Sequence, residues 1–134
     1  ADDSDKPIHV SAETQQVDFN AETVVYAGDV RVRQGEMALR ADKVTASAPG
    51  AKLSTIEAAG GVVITSRAAT ATAPRAVYDV VARTIRLTGA VVLAQGGNTL
   101  KGTDQLVDLK AGTAVLTGKG AGDGRVEGVL QPGG

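Results

Sequence analysis

The sequence predicts an all-β chain whose short strands roll into repeating rungs, and three observations carry that expectation. A motif is written twice: "VVYAGDVRVRQG" at Val24–Gly35 and "IRLTGAVVLAQG" at Ile85–Gly96 share their length, a glycine at the fifth place, apolar residues at the seventh and ninth, and a closing Gln-Gly. Apolar residues alternate with polar ones at a period of two, the strand period. The chain also holds 17 glycines and few stretches suited to a helix, a composition rich in turns.

In chain order, Ile8 and Val10 flank His9 on a first strand. In Val24–Gly35, Val30 and Val32 alternate with Arg31 and Arg33, and the same parity runs back through Gly28 to Tyr26 and Val24. A glycine inside a strand that leaves the parity intact predicts a sharp bend of the sheet. Met37, Leu39 and Ala41 alternate with Ala38 and Arg40 in "MALRADKVTAS". Pro49-Gly50 marks a turn. "IEAAGGVVITS" (Ile56–Ser66) is an intermediate copy of the repeat, and in "ATAPRAVYDVV" the pair Ala73-Pro74 predicts a turn or an edge. Ile85, Leu87, Val91 and Leu93 share one parity across Gly89, and "GGN" (Gly96–Asn98) signals a tight hairpin into "TLKGTDQLVDL". A degraded copy, "AVLTGKG" (Ala114–Gly120), and a last strand over Arg125–Leu130 complete the series. Gly28, Gly60, Gly89 and Gly118 set a unit near thirty residues, and such self-similarity is the mark of a stacked or rolled β architecture. Asp42 and Asp104, with Asp79, read as equivalent repeat positions with a structural role in turns. One domain over residues 1–134 is expected, with loose ends up to Lys6 and from Gln131.

Composition removes several function classes. Fourteen basic against fifteen acidic residues give a net charge of −1, so no bulk field attracts nucleic acid, although Ala1–Glu22 carries six acids against Lys6. With no cysteine there is no disulfide or thiolate chemistry, and one histidine without cysteine does not supply a tetrahedral zinc site. His9, alternating with two aliphatics, is expected to face solvent rather than to serve a catalytic triad. "GKGAGDG" (Gly118–Gly124) lacks the Ser or Thr and the spacing of phosphate-binding loops and reads as a mobile loop. No enzyme, metal or cofactor is expected. No apolar stretch reaches membrane-spanning length, and an alanine start before a polar run is what cleavage at a small-residue site leaves, so export is expected.

Three further groups of residues carry a resemblance. Asp3, Asp5, Pro7, Ile8, His9 and Val10 form a D-x-D-x-P-I-H-V opening; Gly28, Asp29, Val30, Val32, Gln34 and Gly35 form G-D-V-x-V-x-Q-G; Ala41, Asp42, Lys43 and Val44 form A-D-K-V. Together they resemble the OstA/LptA family of periplasmic lipopolysaccharide transport proteins, over roughly Asp3 to Thr117. The resemblance implies a single twisted, partly open β-jellyroll of antiparallel strands. It implies a periplasmic carrier of lipopolysaccharide, bound through its lipid A acyl chains, that joins head to tail into a homo-oligomer bridging inner- and outer-membrane transport proteins. Open first and last strands suit such strand addition. The inward aliphatics then become candidate lipid contacts: Ile8, Val10, Val30, Val32, Ile64, Tyr78, Val80, Leu87 and Leu93. Tyr78 ranks first among them, as an inward aromatic with a polar tip. Three other readings compete: a self-assembling β-solenoid scaffold with a closed dry core, the periplasmic domain of a related transport component, and a polysaccharide-acting solenoid enzyme, for which the expected acids and outward aromatics are scarce.

Overall fold

A computed structural model of the chain describes residues 6–67, 69–117 and 127–130. Among these residues ten strands run in chain order: β1 (Ile8–Ser11), β2 (Thr14–Asp18), β3 (Thr23–Gln34), β4 (Met37–Ser47), β5 (Thr55–Thr65), β6 (Thr70–Asp79), β7 (Thr84–Gln95), β8 (Asn98–Asp108), β9 (Thr113–Thr117) and β10 (Glu127–Val129). They form one open antiparallel sheet in the order β1-β3-β4-β5-β6-β7-β8-β10, with β2 also paired to β3 and β9 also paired to β8. From β2 to β9 each strand pairs with the next, as short connections favour. The expected rolled all-β architecture is present, and the strands are antiparallel throughout. "GKGAGDG" and the tail from Gln131 lie outside the described residues, as do Arg125 and Val126 of the expected last strand.

A line of corners crosses the sheet. Pairing skips between Ala27 and Val30, between Arg40 and Lys43, between Ala59 and Val62, between Thr72 and Arg75, and between Thr88 and Val91. Each long strand is thereby split into two arms, and at each edge the split is complete. One arm of β3 pairs with β1 and the other with β2, while β8 pairs with β10 and β9 in the same manner. Bulges in register across neighbouring strands bend the whole sheet, not one strand of it.

The bends rest on the repeat glycines. Gly28, Gly60 and Gly89 take φ of +86°, +86° and +98°, and the side chains of Glu13, Asp42 and Pro74 respectively lie where a β-carbon would stand. After Gly28, Asp29 itself has φ +44°, and after Gly60, Gly61 has +55°. Glycine, with aspartate or asparagine next, is what a left-handed step admits. Pro74 therefore sits in a corner of an interior strand, not in a turn or at an edge; the skipped pairing spares the ladder the N–H that proline lacks.

The turns at one end of the arms have a rule of their own. Oδ1 of Asp18 accepts from the N–H groups of Asn20 and Ala21, that of Asp79 from Ala82, and that of Asp108 from Ala111, at 2.9–3.0 Å. The residue after each alanine is left-handed (Glu22, Arg83, Gly112), and Thr23, Thr84 and Thr113 open the next strand. Asp79 thus belongs with Asp18 and Asp108. Asp42 and Asp104, expected in turns, are instead strand residues beside the corners.

The core is aliphatic. Val30, Val32, Leu39, Ala41 and Val44 lead on to Ile56, Val62, Ile64, Ile85, Leu87 and Val91 on the inner face, while Arg31, Arg33, Arg40 and Arg86 face solvent. His9 is exposed on β1 opposite Arg33, as expected.

Candidate functional site

The inner faces of the two arms are pressed together in one region and stand apart in another. Near β1, Ile8, Val32, Leu39 and Ile64 of one arm meet Ile56, Tyr78 and Ile85 of the other, leaving about 20 Å³ between them, room for about one water. Polar groups latch this seam. The Tyr78 hydroxyl, in a residue only 5% exposed, donates to Oε1 of Gln34 at 2.7 Å, and Nε2 of Gln34 donates to the Lys6 carbonyl at 2.8 Å. A buried amide and phenol are tolerated because each finds a partner.

Farther along, between β6 and β9, the arms enclose a hollow of about 500 Å³. Ile64, Ala71, Leu93 and Leu100 line it from one arm; Leu87, Gln105, Val107 and Leu109 line it from the other. Composition explains the gap. Facing sheets stand about 10 Å apart, and Ala71 of β6 and Ala114 of β9 are too short to fill that space. Of the three aromatics, only Tyr26 and Tyr78 pack into the core, and Phe19 is exposed in a turn. The volume falls in the range of small-molecule sites.

The candidate residues separate accordingly. Ile64, Leu87 and Leu93 share the hollow. Ile8, Val32 and Tyr78 lie in the tight seam, which Ile64 also borders. Val30 is wholly buried beside the corner. Val10, with Val32, borders a shallow depression of about 340 Å³ among His9, Arg31 and Arg40. Val80 lies past the end of β6, half-buried against the core. The lining residues Leu100, Gln105 and Val107 escaped the sequence reading. Across Gly102-Thr103 of β8 the inward positions pass from even to odd numbers, and in β4 between Ala41 and Val44 and in β6 between Ala73 and Ala76 they pass from odd to even.

Electrostatics concentrate on the outside of the corner. Arg31 and Arg40 approach Asp29 at 3.1 and 3.5 Å. The hydrogen bond and charge of Arg31, then the charge of Arg40, hold the Asp29 carboxyl below its ordinary value. These groups are exposed and away from the hollow, and no group of three or more acidic or histidine side chains suited to a metal occurs among the described residues.

An open antiparallel sheet, creased along a line of corner glycines around an apolar hollow, defines an OstA-like β-jellyroll. The crystal structure of LptH, described as the LptA-homologous periplasmic component of the lipopolysaccharide transport device from Pseudomonas aeruginosa, superposes with a TM-score of 0.88 over 98% of this chain and all of that one, at 23% identity. The lipopolysaccharide export system protein LptA of Escherichia coli (strain K12) is 40% identical over 48 residues, which make up 36% of this chain and 26% of that protein. The match thus spans about a quarter of the length of that relative. An uncharacterised protein of Rhizobium meliloti (strain 1021) is 28% identical over 139 aligned positions, 96% of this chain and 73% of its own length. The family model for LptA and the LptD N-terminal domain, lipopolysaccharide transport proteins, matches residues 9–113, and the chain belongs to that family.

Proposed function

We propose that this protein carries lipopolysaccharide in the periplasm, without catalysing a reaction, by sheltering acyl chains in the hollow between its arms. The observation that carries the reading is the largely apolar space of about 500 Å³ itself, which a scaffold with a closed dry core has no reason to keep. Each methylene moved from water into such a space contributes about 0.8 kcal/mol, enough to hold a chain and little enough per step to let it slide on. Ile64, Leu87 and Leu93 are the contacts proposed from the hollow. Ile8, Val10, Val30, Val32, Tyr78 and Val80 complete the inward wall that a chain would meet if the seam opened.

Both ends of the sheet remain open, so subunits would join head to tail, the β1/β2 edge of one copy meeting the β9/β10 edge of the next. The bridge would link inner- and outer-membrane transport proteins. A second reading, that the chain is the N-terminal domain of an LptD-like component, draws support from the shared family model, and would use the same hollow and edges.

Photocrosslinking tests the cargo. A photoreactive residue at Leu93 or Ile64 should yield lipopolysaccharide adducts, and one at outward Arg31 should not; adducts from Arg31 alone would reject the carrier. Proline tests the edge. Neighbouring residues of β2 alternate in where their N–H groups point, so either Gln15→Pro or Gln16→Pro removes an outward donor and leaves the pairing with β3 intact. That variant should keep its fold and shorten oligomers in light scattering. Unchanged assembly in both variants would remove strand addition.

A further inference from the structure

Gln105 sits on β8 between Leu87 of β7 and Leu116 of β9, at 1% exposure. Neither its amide nitrogen nor its amide oxygen has a hydrogen-bond partner. It lines the hollow, among Leu87, Leu93, Leu100 and Val107. Buried amides without partners are rare because dehydrating them opposes folding.

The repeat makes this glutamine stranger still. The matching place past the corner is Val44 in β4 and Ala76 in β6, both buried and apolar. Packing alone asks for an aliphatic residue at position 105. The other buried glutamine, Gln34, is bonded at both ends of its amide. Among the described core side chains, Gln105 keeps both an unused donor and an unused acceptor, just beneath the lining of the hollow that the residue borders.

We propose that Gln105 reads a hydroxyl group carried by the acyl chain that occupies the hollow, so that the protein prefers hydroxylated chains to plain ones. This inference rests on the carrier reading. A hydroxyl suits the site better than an ester carbonyl does, since it both donates and accepts and so pairs with either end of the amide, whichever way the amide is turned. An ester carbonyl accepts only, and would leave the glutamine oxygen unserved. The surrounding leucines hold the chain while one polar contact sets its depth, the usual division of labour in a lipid-sized pocket.

Titration calorimetry with dodecanoate and with its β-hydroxy and ω-hydroxy forms tests the proposal on the wild-type protein and on Gln105→Leu. The wild type should bind at least one hydroxylated form about 3- to 10-fold more tightly than dodecanoate, the effect of one net hydrogen bond. Gln105→Leu should bind dodecanoate at least as well and lose the preference, and it should melt no lower than the wild type because it removes an unpaired amide. Equal affinities in the wild type, or a preference surviving in Gln105→Leu, would overturn the role of Gln105 and leave the carrier standing. Failure of the wild type to bind any of the three chains would overturn both.

Discussion

Replacing Gly89 by alanine tests whether the corner glycines hold the roll together. At φ +98° the backbone of residue 89 lies where an L side chain is strained, and an added β-carbon would stand 2.7 Å from Cγ and 2.8 Å from Cδ of Pro74. The strained backbone costs about 1–3 kcal/mol. A proline ring cannot swing aside, so relief of the overlap adds about 1–3 kcal/mol more. A loss of about 2–6 kcal/mol is a large share of the roughly 5–15 kcal/mol that holds a domain folded. At about 3–5 °C per kcal/mol for a chain of this size, Gly89→Ala should melt roughly 6–30 °C lower.

Two comparisons separate the causes. Gly96 has φ +60° and nothing within 4 Å of its would-be β-carbon, so Gly96→Ala should show backbone strain alone, about 1–2 kcal/mol. Pro74→Ala combined with Gly89→Ala should recover the overlap but not the strain, giving a coupling above about 1 kcal/mol in a double-mutant cycle followed by urea unfolding. A Gly89→Ala protein within about 0.5 kcal/mol of wild type, or a coupling inside the roughly 0.5 kcal/mol scatter of independent sites, would refute the claim that the corner is built on contact between Pro74 and the glycine.

Leu87→Ala should lose about 2–5 kcal/mol in urea unfolding, as a fully buried leucine does, whereas Leu93→Ala, half-exposed in the same hollow, should lose less and show its effect in acyl-chain affinity. Asp79→Ala should cost about 1 kcal/mol by freeing the Ala82 N–H of its turn, with Asp79→Asn retaining most of the bond; equal losses in a thermal melt would argue against that hydrogen bond. Asp29 should titrate below the ordinary 3.8 by carboxyl NMR, and Arg31→Gln should raise it more than Arg40→Gln does. Because its folded-state value is depressed, whatever stability its ionisation contributes is complete above 3.8 and fades as pH falls through the lower folded value.

How far the sequence could be read depended on which strand was being read. In β3, β5 and β7 a glycine carries the corner and the inward parity survives it, so Val30, Val32, Ile64, Leu87 and Leu93 could be placed from alternation alone. In β4, β6 and β8 the inward face changes parity at the corner, and nothing local announces the change. Leu100, Gln105 and Val107 were therefore not read as inward, and Asp42 and Asp104 looked like turn residues. The likeness of Asp18, Asp79 and Asp108 was available as D-x-x-A-x-T, but its reason, an aspartate oxygen holding an alanine N–H before a left-handed residue, needs coordinates. That one region is packed and another hollow was not legible either, because alternation gives the direction of a side chain and says nothing of the distance to the facing arm.

The repeat and the hollow follow from one geometric condition. A sheet creased at the middle of its long strands brings its two arms face to face, and in β3, β5 and β7 the corner offers a glycine for a neighbour's side chain to occupy. Glu13 over Gly28, Asp42 over Gly60 and Pro74 over Gly89 pin the crease at alternate strand boundaries. What lies between the arms is then decided by side-chain length. Ile8, Ile56, Tyr78 and Ile85 close the seam, and the short side chains of Ala71 and Ala114 leave it open farther on. Filling that gap from the alanine side separates storage of a lipid from storage of a fold. Ala71→Leu should add packing and raise the melting temperature, or at worst leave it unchanged, while displacing acyl chains from the hollow. A variant that is overfilled and less stable, yet binds acyl chains as before, would show that the space serves the fold rather than a ligand.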